Sequence, residues 1–193
     1  MSADKRERIL KAAIKVFARE GFFAAKVEDI AKVADVATGT IYLYFENKDD
    51  LMISIFEEEM VPIIENMRQK LESISSATAK LRTFINLHLG LVQDHPDMAQ
   101  LMQVELRQSS RFLHGYDGTR FKEYLSIIAE ILKLGQGQKE FRDDINPSIF
   151  KQVLFGAVDP IATNWTISKT KRINLSQSAD QISTIILDGM ART

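Results

Sequence analysis

The run Thr38-Gly39-Thr40-Ile41-Tyr42-Leu43-Tyr44-Phe45 holds residue types that sort by the contacts they can make. Thr38, Gly39 and Thr40 are small and let a backbone come close to a partner. The hydroxyls of Tyr42 and Tyr44 can reach phosphate oxygens, and Leu43 can lie against the methyl group of a thymine. Ile41 and Phe45 stand one helical turn apart and can anchor the run to a core, which leaves Tyr42, Leu43 and Tyr44 on more outward angles. Such a set could meet a DNA major groove, and the alternative, that the tyrosines are simply core, stays open. With neither Arg nor Lys between residues 38 and 45, bidentate readout of guanine by arginine is not available from this run. Lys48 falls where a helix begins, a poor place for a cation; taken alone it reads as a solvated surface lysine.

The elements that must position these residues follow from apolar spacing. From Asp4 to Glu20, Ile9, Ala12, Ala13, Val16 and Phe17 recur at helical intervals among basic residues, with Gly21 placed to cap the helix in a left-handed conformation and Phe22 and Phe23 to fold back on it. A short helix over Val27 to Ala34 and another from a Thr38 cap to Phe45, joined by Asp35-Val36-Ala37, make a helix-turn-helix candidate. A long helix from about Asp49 to Ser73, bent near Pro62, is the connector. Further helices are expected over Thr78 to Asp94, Pro96 to Leu113, Thr119 to Gly135, Pro147 to Ser168 and Ser176 to Ala191. Gly115-Tyr116-Asp117-Gly118 and Gly135-Gln136-Gly137-Gln138 read as turns. The fold class is all-α, about nine helices: an amino-terminal helix-turn-helix domain over residues 1–48 and a larger helical domain over 49–193.

Composition narrows the function. The 193 residues carry 25 Lys plus Arg against 26 Asp plus Glu, so any attraction to a polyanion must be local. Residues 1–48 hold nine basic and seven acidic side chains, a small positive excess in the part that carries the motif. The absence of cysteine excludes disulfides, thiolate ligands and cysteine nucleophiles and fits the cytoplasm. The longest apolar run, Ile41 to Phe45, is far too short to span a membrane, and Met1 to Leu10 is charged where a secretory signal turns apolar. Enzyme chemistry finds no footing: His88, His95 and His114 lack nearby cysteine partners, His88 and His95 share a face but two turns apart, too far for a simple shared metal, and there is no nucleophile elbow.

The stretch from Lys26 to Lys48, with its Val27-Glu-Asp-Ile-Ala31 opening, its Gly39-Thr-Ile-Tyr-Leu-Tyr-Phe45 reader and its Lys48-Asp-Asp-Leu51 ending, resembles the DNA-binding segment of the TetR family of bacterial regulators. The resemblance implies operator contacts by Lys26, Val27, Thr38, Gly39, Thr40, Tyr42, Leu43, Tyr44 and Lys48, with double-stranded, palindromic DNA as partner and a homodimer to read it. Two positions depart from the pattern: Lys26 stands where Thr or Ser commonly caps, so it can supply charge but no cap, and Asp35 where a turn glycine is usual. The last two helices would pair with their symmetry mates, Phe150, Leu154, Val158, Ile182, Ile185, Ile186 and Met190 offering apolar faces; taken alone, each is more often a residue of the chain's own core.

Gln103-Val-Glu-Leu-Arg-Gln-Ser-Ser110 and Phe155-Gly-Ala-Val-Asp-Pro-Ile-Ala-Thr-Asn-Trp165 are similar to stretches in TetR-type repressors of fatty-acid degradation, which implies a long-chain acyl-coenzyme A as effector and no other cofactor. The candidate effector residues are Met102, Leu106, Arg107, Arg111, Phe155, Asp159 and Trp165. Glu105, Arg107 and Arg111 share a helix, so their guanidinium groups could meet phosphate or carbonyl oxygens; an exposed ion-paired face explains them equally well. Asp159-Pro160 is expected to break its helix beside Trp165. A regulator of efflux or other catabolism with a different lipophilic effector stays open, as does a helical lipid-binding or scaffolding protein with no operator.

Overall fold

The computed structural model describes residues 2–105 and 118–191, and its regular structure among them is entirely helical. Among the described residues nine α-helices run in order: α1 Ser2–Glu20, α2 Val27–Ala34, α3 Thr38–Ile41, α4 Lys48–Glu72, α5 Ala77–Asp94, α6 Pro96–Gln100, α7 Thr119–Gly137, α8 Pro147–Ile167 and α9 Leu175–Met190. A π-helical turn, Leu101–Glu105, extends α6. The described residues form two compact units, 2–59 with 95–105 and 60–94 with 118–191, so the first takes in the start of α4 as well as a later stretch. Among the described residues no helix is long and apolar enough to cross a membrane, and no cluster of acidic and histidine side chains could hold a metal.

In the first unit, α1 buries Ile9, Ala12, Ala13, Val16 and Phe17, and α2 and α6 pack on α1. Gly21 ends α1 at φ 80°, its N–H bonded to the Phe17 carbonyl at 2.9 Å. Phe22 folds back on Phe17, ring centroids 5.5 Å apart, while Phe23 meets the Phe22 ring edge-on at 5.6 Å and stands 66% exposed. Asp35, at φ 54°, takes the left-handed position after α2, and Val36 donates to the Ala31 carbonyl at 3.0 Å. That is the Schellman closure, in which Asp replaces the usual glycine.

In the second unit, α5 packs against α7, α8 and α9. Leu81, Phe84, Ile85, His88, Leu89 and Val92 form its buried stripe. Asn146 and Asn174 cap α8 and α9 through their side chains.

Four expectations are corrected. Gly135-Gln136-Gly137 is helix, not turn: α7 continues because a glycine costs a helix only about 1 kcal/mol, while a Cβ on Gly135 would fall 2.0 Å from the buried Phe141 ring. Asp159-Pro160 does not break α8. Pro160 and Gly156, whose carbonyl the proline leaves without its helical donor, are both exposed, so water can take over. His88 and His95 do not share a helical face, since α5 ends at Asp94 before Pro96 opens α6. The helix expected over Pro96 to Leu113 gives way to the π-turn at Leu101; beyond Glu105 that expectation, like the turn at Gly115 to Asp117 and His114, lies outside the described residues.

Candidate functional site

The reading segment is built on two buried anchors. Ile41 and Phe45 are each 2% exposed, and between them the chain climbs by tight bonds, Leu43 N–H to Thr40 at 3.2 Å and Tyr44 N–H to Ile41 at 3.0 Å. The helix itself is shorter than expected, ending at Ile41, and Thr38 is not its cap. Ala37 holds that place in extended conformation, with its carbonyl taking the Thr40 N–H at 2.8 Å. The anchors turn the remaining side chains outward: Leu43 is 82% exposed and Tyr42 53%, while Tyr44 is half-buried against Phe45. Gly39 is exposed, and a Cβ there would meet nothing within 4 Å. Thr38 and Thr40 are half-buried.

Positive charge around the segment is largely committed to the protein itself. Arg8 Nη2 donates to the Ala34 and Asp35 carbonyls at 2.6 and 2.9 Å, tying the end of α2 to α1. Arg6 pairs with Glu58 and lies 5.3 Å over the Phe45 ring. Lys48 also has a partner inside the chain: its Nζ donates to the Phe23 and Ala25 carbonyls at 3.2 and 3.0 Å and sits 4.7 Å over Phe22. The poor electrostatic position at the start of α4 thus has an intramolecular explanation, a clamp on the loop before α2. Lys26, the residue before α2, is exposed and makes no side-chain cap, while Val27 opens α2 half-buried. Asn47 caps α4 instead, accepting the Asp50 N–H at 2.8 Å.

The effector candidates are only partly brought together. Phe155 and Asp159, one turn apart on α8, face an aromatic cluster: the His88 ring lies 5.8 Å from Phe155, and Phe121 meets Phe155 edge-on at 5.2 Å. His88 Nδ1 and the Tyr124 hydroxyl share a 2.7 Å hydrogen bond in the interior. Burial, then the charge of Asp159, pushes the Tyr124 phenol far above its ordinary range, so it stays neutral. Trp165 is not part of this cluster. Six residues past Asp159 it lies on another side of α8, under Lys171, whose Nζ sits 3.9 Å over the indole and bonds the Trp165 and Thr166 carbonyls. Met102 lies half-buried on the π-turn of the first unit. Leu106, Arg107 and Arg111 lie outside the described residues, as does the Glu105 side chain.

Tyr124, Phe121 and Phe84 escaped the sequence reading. The available signal was His88 itself, which continues the apolar stripe of α5 one turn after Phe84. An open groove of about 590 Å³ also runs along α4 and α7, lined by Glu65, Arg68, Lys80, Ile127 and Ile131, and Arg68 bridges it to Glu130 at 2.8 and 3.2 Å. It contains none of the expected effector residues. Of the apolar residues expected to face a second copy, Phe150, Leu154, Val158 and Met190 are buried in the chain's own core; Ile185 is exposed, joined by Ile149 and Val153. Helical phase explains the exchange, because Ile149 and Val153 each stand one position before a core residue of α8.

Comparison with known proteins agrees with this layout. Residues 9–55 match the family model for bacterial regulatory proteins of the tetR family, and residues 56–189 match the YsiA-like protein C-terminal region. A fatty acid metabolism regulator protein of Bacillus subtilis is 37% identical over 85% of this chain and 84% of its own length. The structure of the transcriptional regulator FadR from Bacillus subtilis in complex with stearoyl-CoA superposes with a TM-score of 0.87 at 33% identity, over 95% of this chain and 98% of that one. The fatty acid degradation regulator FadR from Bacillus halodurans gives a TM-score of 0.85 at 33% identity, with the same coverage. With both of its segments matched in order, the chain belongs to the TetR family of bacterial regulatory proteins.

Proposed function

We infer that this regulator is a cytoplasmic, dimeric transcriptional repressor of fatty-acid degradation genes, released from its operator by a long-chain acyl-coenzyme A. What carries the reading is its likeness, along nearly the whole chain, to a regulator whose structure holds stearoyl-CoA. Operator contact falls to Lys26, Val27, Thr38, Gly39, Thr40, Tyr42, Leu43 and Tyr44, with Lys48 holding the loop that carries Lys26. One short reader touches too few base pairs for useful specificity, so two copies read a two-fold site. Ile149 and Val153 on α8 with Ile185 on α9 supply an apolar face for that pairing. The effector acts only through a difference in affinity between the DNA-competent and DNA-incompetent arrangements. Phe155, Phe121 and the buried Asp159 are the side chains through which the acyl group is felt.

The test is a gel shift on a duplex that the protein selects from a random library. Stearoyl-coenzyme A is expected to release it, whereas stearate and coenzyme A separately are not. Release by neither thioester nor acid would transfer the protein to a regulator with another effector, and failure to select any duplex would remove operator binding itself.

A further inference from the structure

The reading surface lacks the groups that most often distinguish bases by paired hydrogen bonds. Guanine is usually read by a forked arginine and adenine by an asparagine or glutamine amide. Between residues 20 and 46 the chain has no Arg, Asn or Gln, and its two lysines, Lys26 before α2 and Lys32 on α2, lie outside the reader. The arginines among the described residues of the first unit are engaged elsewhere: Arg6 with Glu58, Arg8 with the Ala34 and Asp35 carbonyls, Arg19 with Glu20. Asn47 is engaged as the cap of α4. What the reader presents is Leu43, 82% exposed and the most exposed large apolar side chain among the described residues, with the Tyr42 ring beside it in sequence at 53%.

An apolar side chain held this far out of its own core is unfavourable in water and gains by burial against an apolar partner. In the major groove the apolar group that carries sequence information is the C5-methyl of thymine. The hydroxyls of Thr38, Thr40, Tyr42 and Tyr44 offer one donor each and suit phosphate oxygens or single base contacts, which position more than they discriminate.

We propose that this regulator distinguishes its operator chiefly through thymine methyl groups, with Leu43 as the specificity-determining contact, so that A·T pairs occupy the positions under the reader in each half-site. The proposal rests on operator binding by residues 38–45. The experiment selects a duplex from a random library with the full chain, then compares that duplex with one of the same sequence in which uracil replaces thymine, a change that removes methyl groups and leaves every base-edge hydrogen bond. Burying one or two methyl groups per half-site predicts that wild-type affinity falls about tenfold or more. Leu43→Ala, at a side chain that contributes nothing to the core, is expected to weaken binding to the thymine duplex by a similar factor and to bind both duplexes equally. Equal wild-type affinity for the two duplexes, or a Leu43→Ala variant that still prefers thymine as strongly as wild type, overturns methyl readout while leaving the operator reading standing. Recovery of no duplex at all overturns both.

Discussion

The reader of the first unit and the aromatic cluster of the second are built in opposite ways. In the first, polar and charged side chains are spent on the protein's own backbone, as Arg8 and Lys48 are, while Leu43 and Tyr42 are held out in water. In the second, aromatic rings are gathered inward around His88, Tyr124 and Asp159, polar groups that water no longer reaches. The reader is thus made by exposure and the cluster by burial. Residues of the same type should therefore respond to substitution in opposite ways in the two units.

Glycine gives the largest contrast. Gly135→Ala drives a methyl group into the buried Phe141 ring, and the overpacking outweighs the roughly 1 kcal/mol that alanine returns to a helix; a net loss of about 1–2 kcal/mol is expected in urea unfolding. Gly39→Ala meets no atom and should leave the unfolding midpoint unchanged or slightly raised, yet weaken operator binding several-fold, because the methyl stands where the backbone would approach DNA. Equal effects of the two substitutions on stability would erase the distinction between the units at this level.

Tyrosine comes next. Tyr42→Ala is expected to weaken operator binding by about 1–3 kcal/mol with no change in melting temperature. Tyr124→Phe removes one buried hydroxyl and its bond to His88, a cost of about 1–2 kcal/mol in stability, with operator affinity retained in the folded fraction. A stability loss at Tyr42 as large as that at Tyr124 would mean that the exposed ring supports the fold rather than the reading surface.

How much of each unit the sequence discloses follows the range of its contacts. The first unit is written in local signals: apolar spacing in α1 and α2, a glycine at 21, an aspartate at 35 able to turn left-handed, and the Ile41 and Phe45 anchors. Its surprises are contacts across the chain, above all Lys48, whose carbonyl partners lie 25 and 23 residues earlier. In the second unit the helices were legible, but the cluster was not, because His88 meets Tyr124 from 36 residues away and no pattern in either helix announces the pairing. Gly135 misled for a related reason: a glycine that admits a neighbour's ring looks, in one dimension, like a glycine that makes a turn. Pro160 misled because its cost depends on whether the freed carbonyl faces water. Phe155 and Asp159 face one cluster, whereas Trp165 shares their stretch of sequence but not their side of α8.

The smallest expected effects set a carboxylate against an ammonium. Burial raises the Glu140 pKa, but the Thr78 N–H at 2.8 Å, with those of the Ser76 hydroxyl and Ala77 N–H, outweighs it and holds the carboxylate below its ordinary 4.5. A depressed folded-state value means the unfolded chain takes up the proton first as pH falls. The stabilisation is therefore complete above the ordinary carboxylate value and disappears as pH drops through the lower folded value. Glu140→Gln should cost about 1 kcal/mol or less at neutral pH as a weakened cap of α5, and the difference from wild type should stay level down to about pH 5 and close below it. Lys26→Ala should leave stability alone and appear only in DNA binding, lowering the slope of log affinity against log salt by about 2, one for each copy on the two-fold site. If the Lys26→Ala slope equals wild type while Lys48→Ala flattens it, the phosphate contact belongs to Lys48, and its clamp on the Phe23 and Ala25 carbonyls has to open when DNA binds.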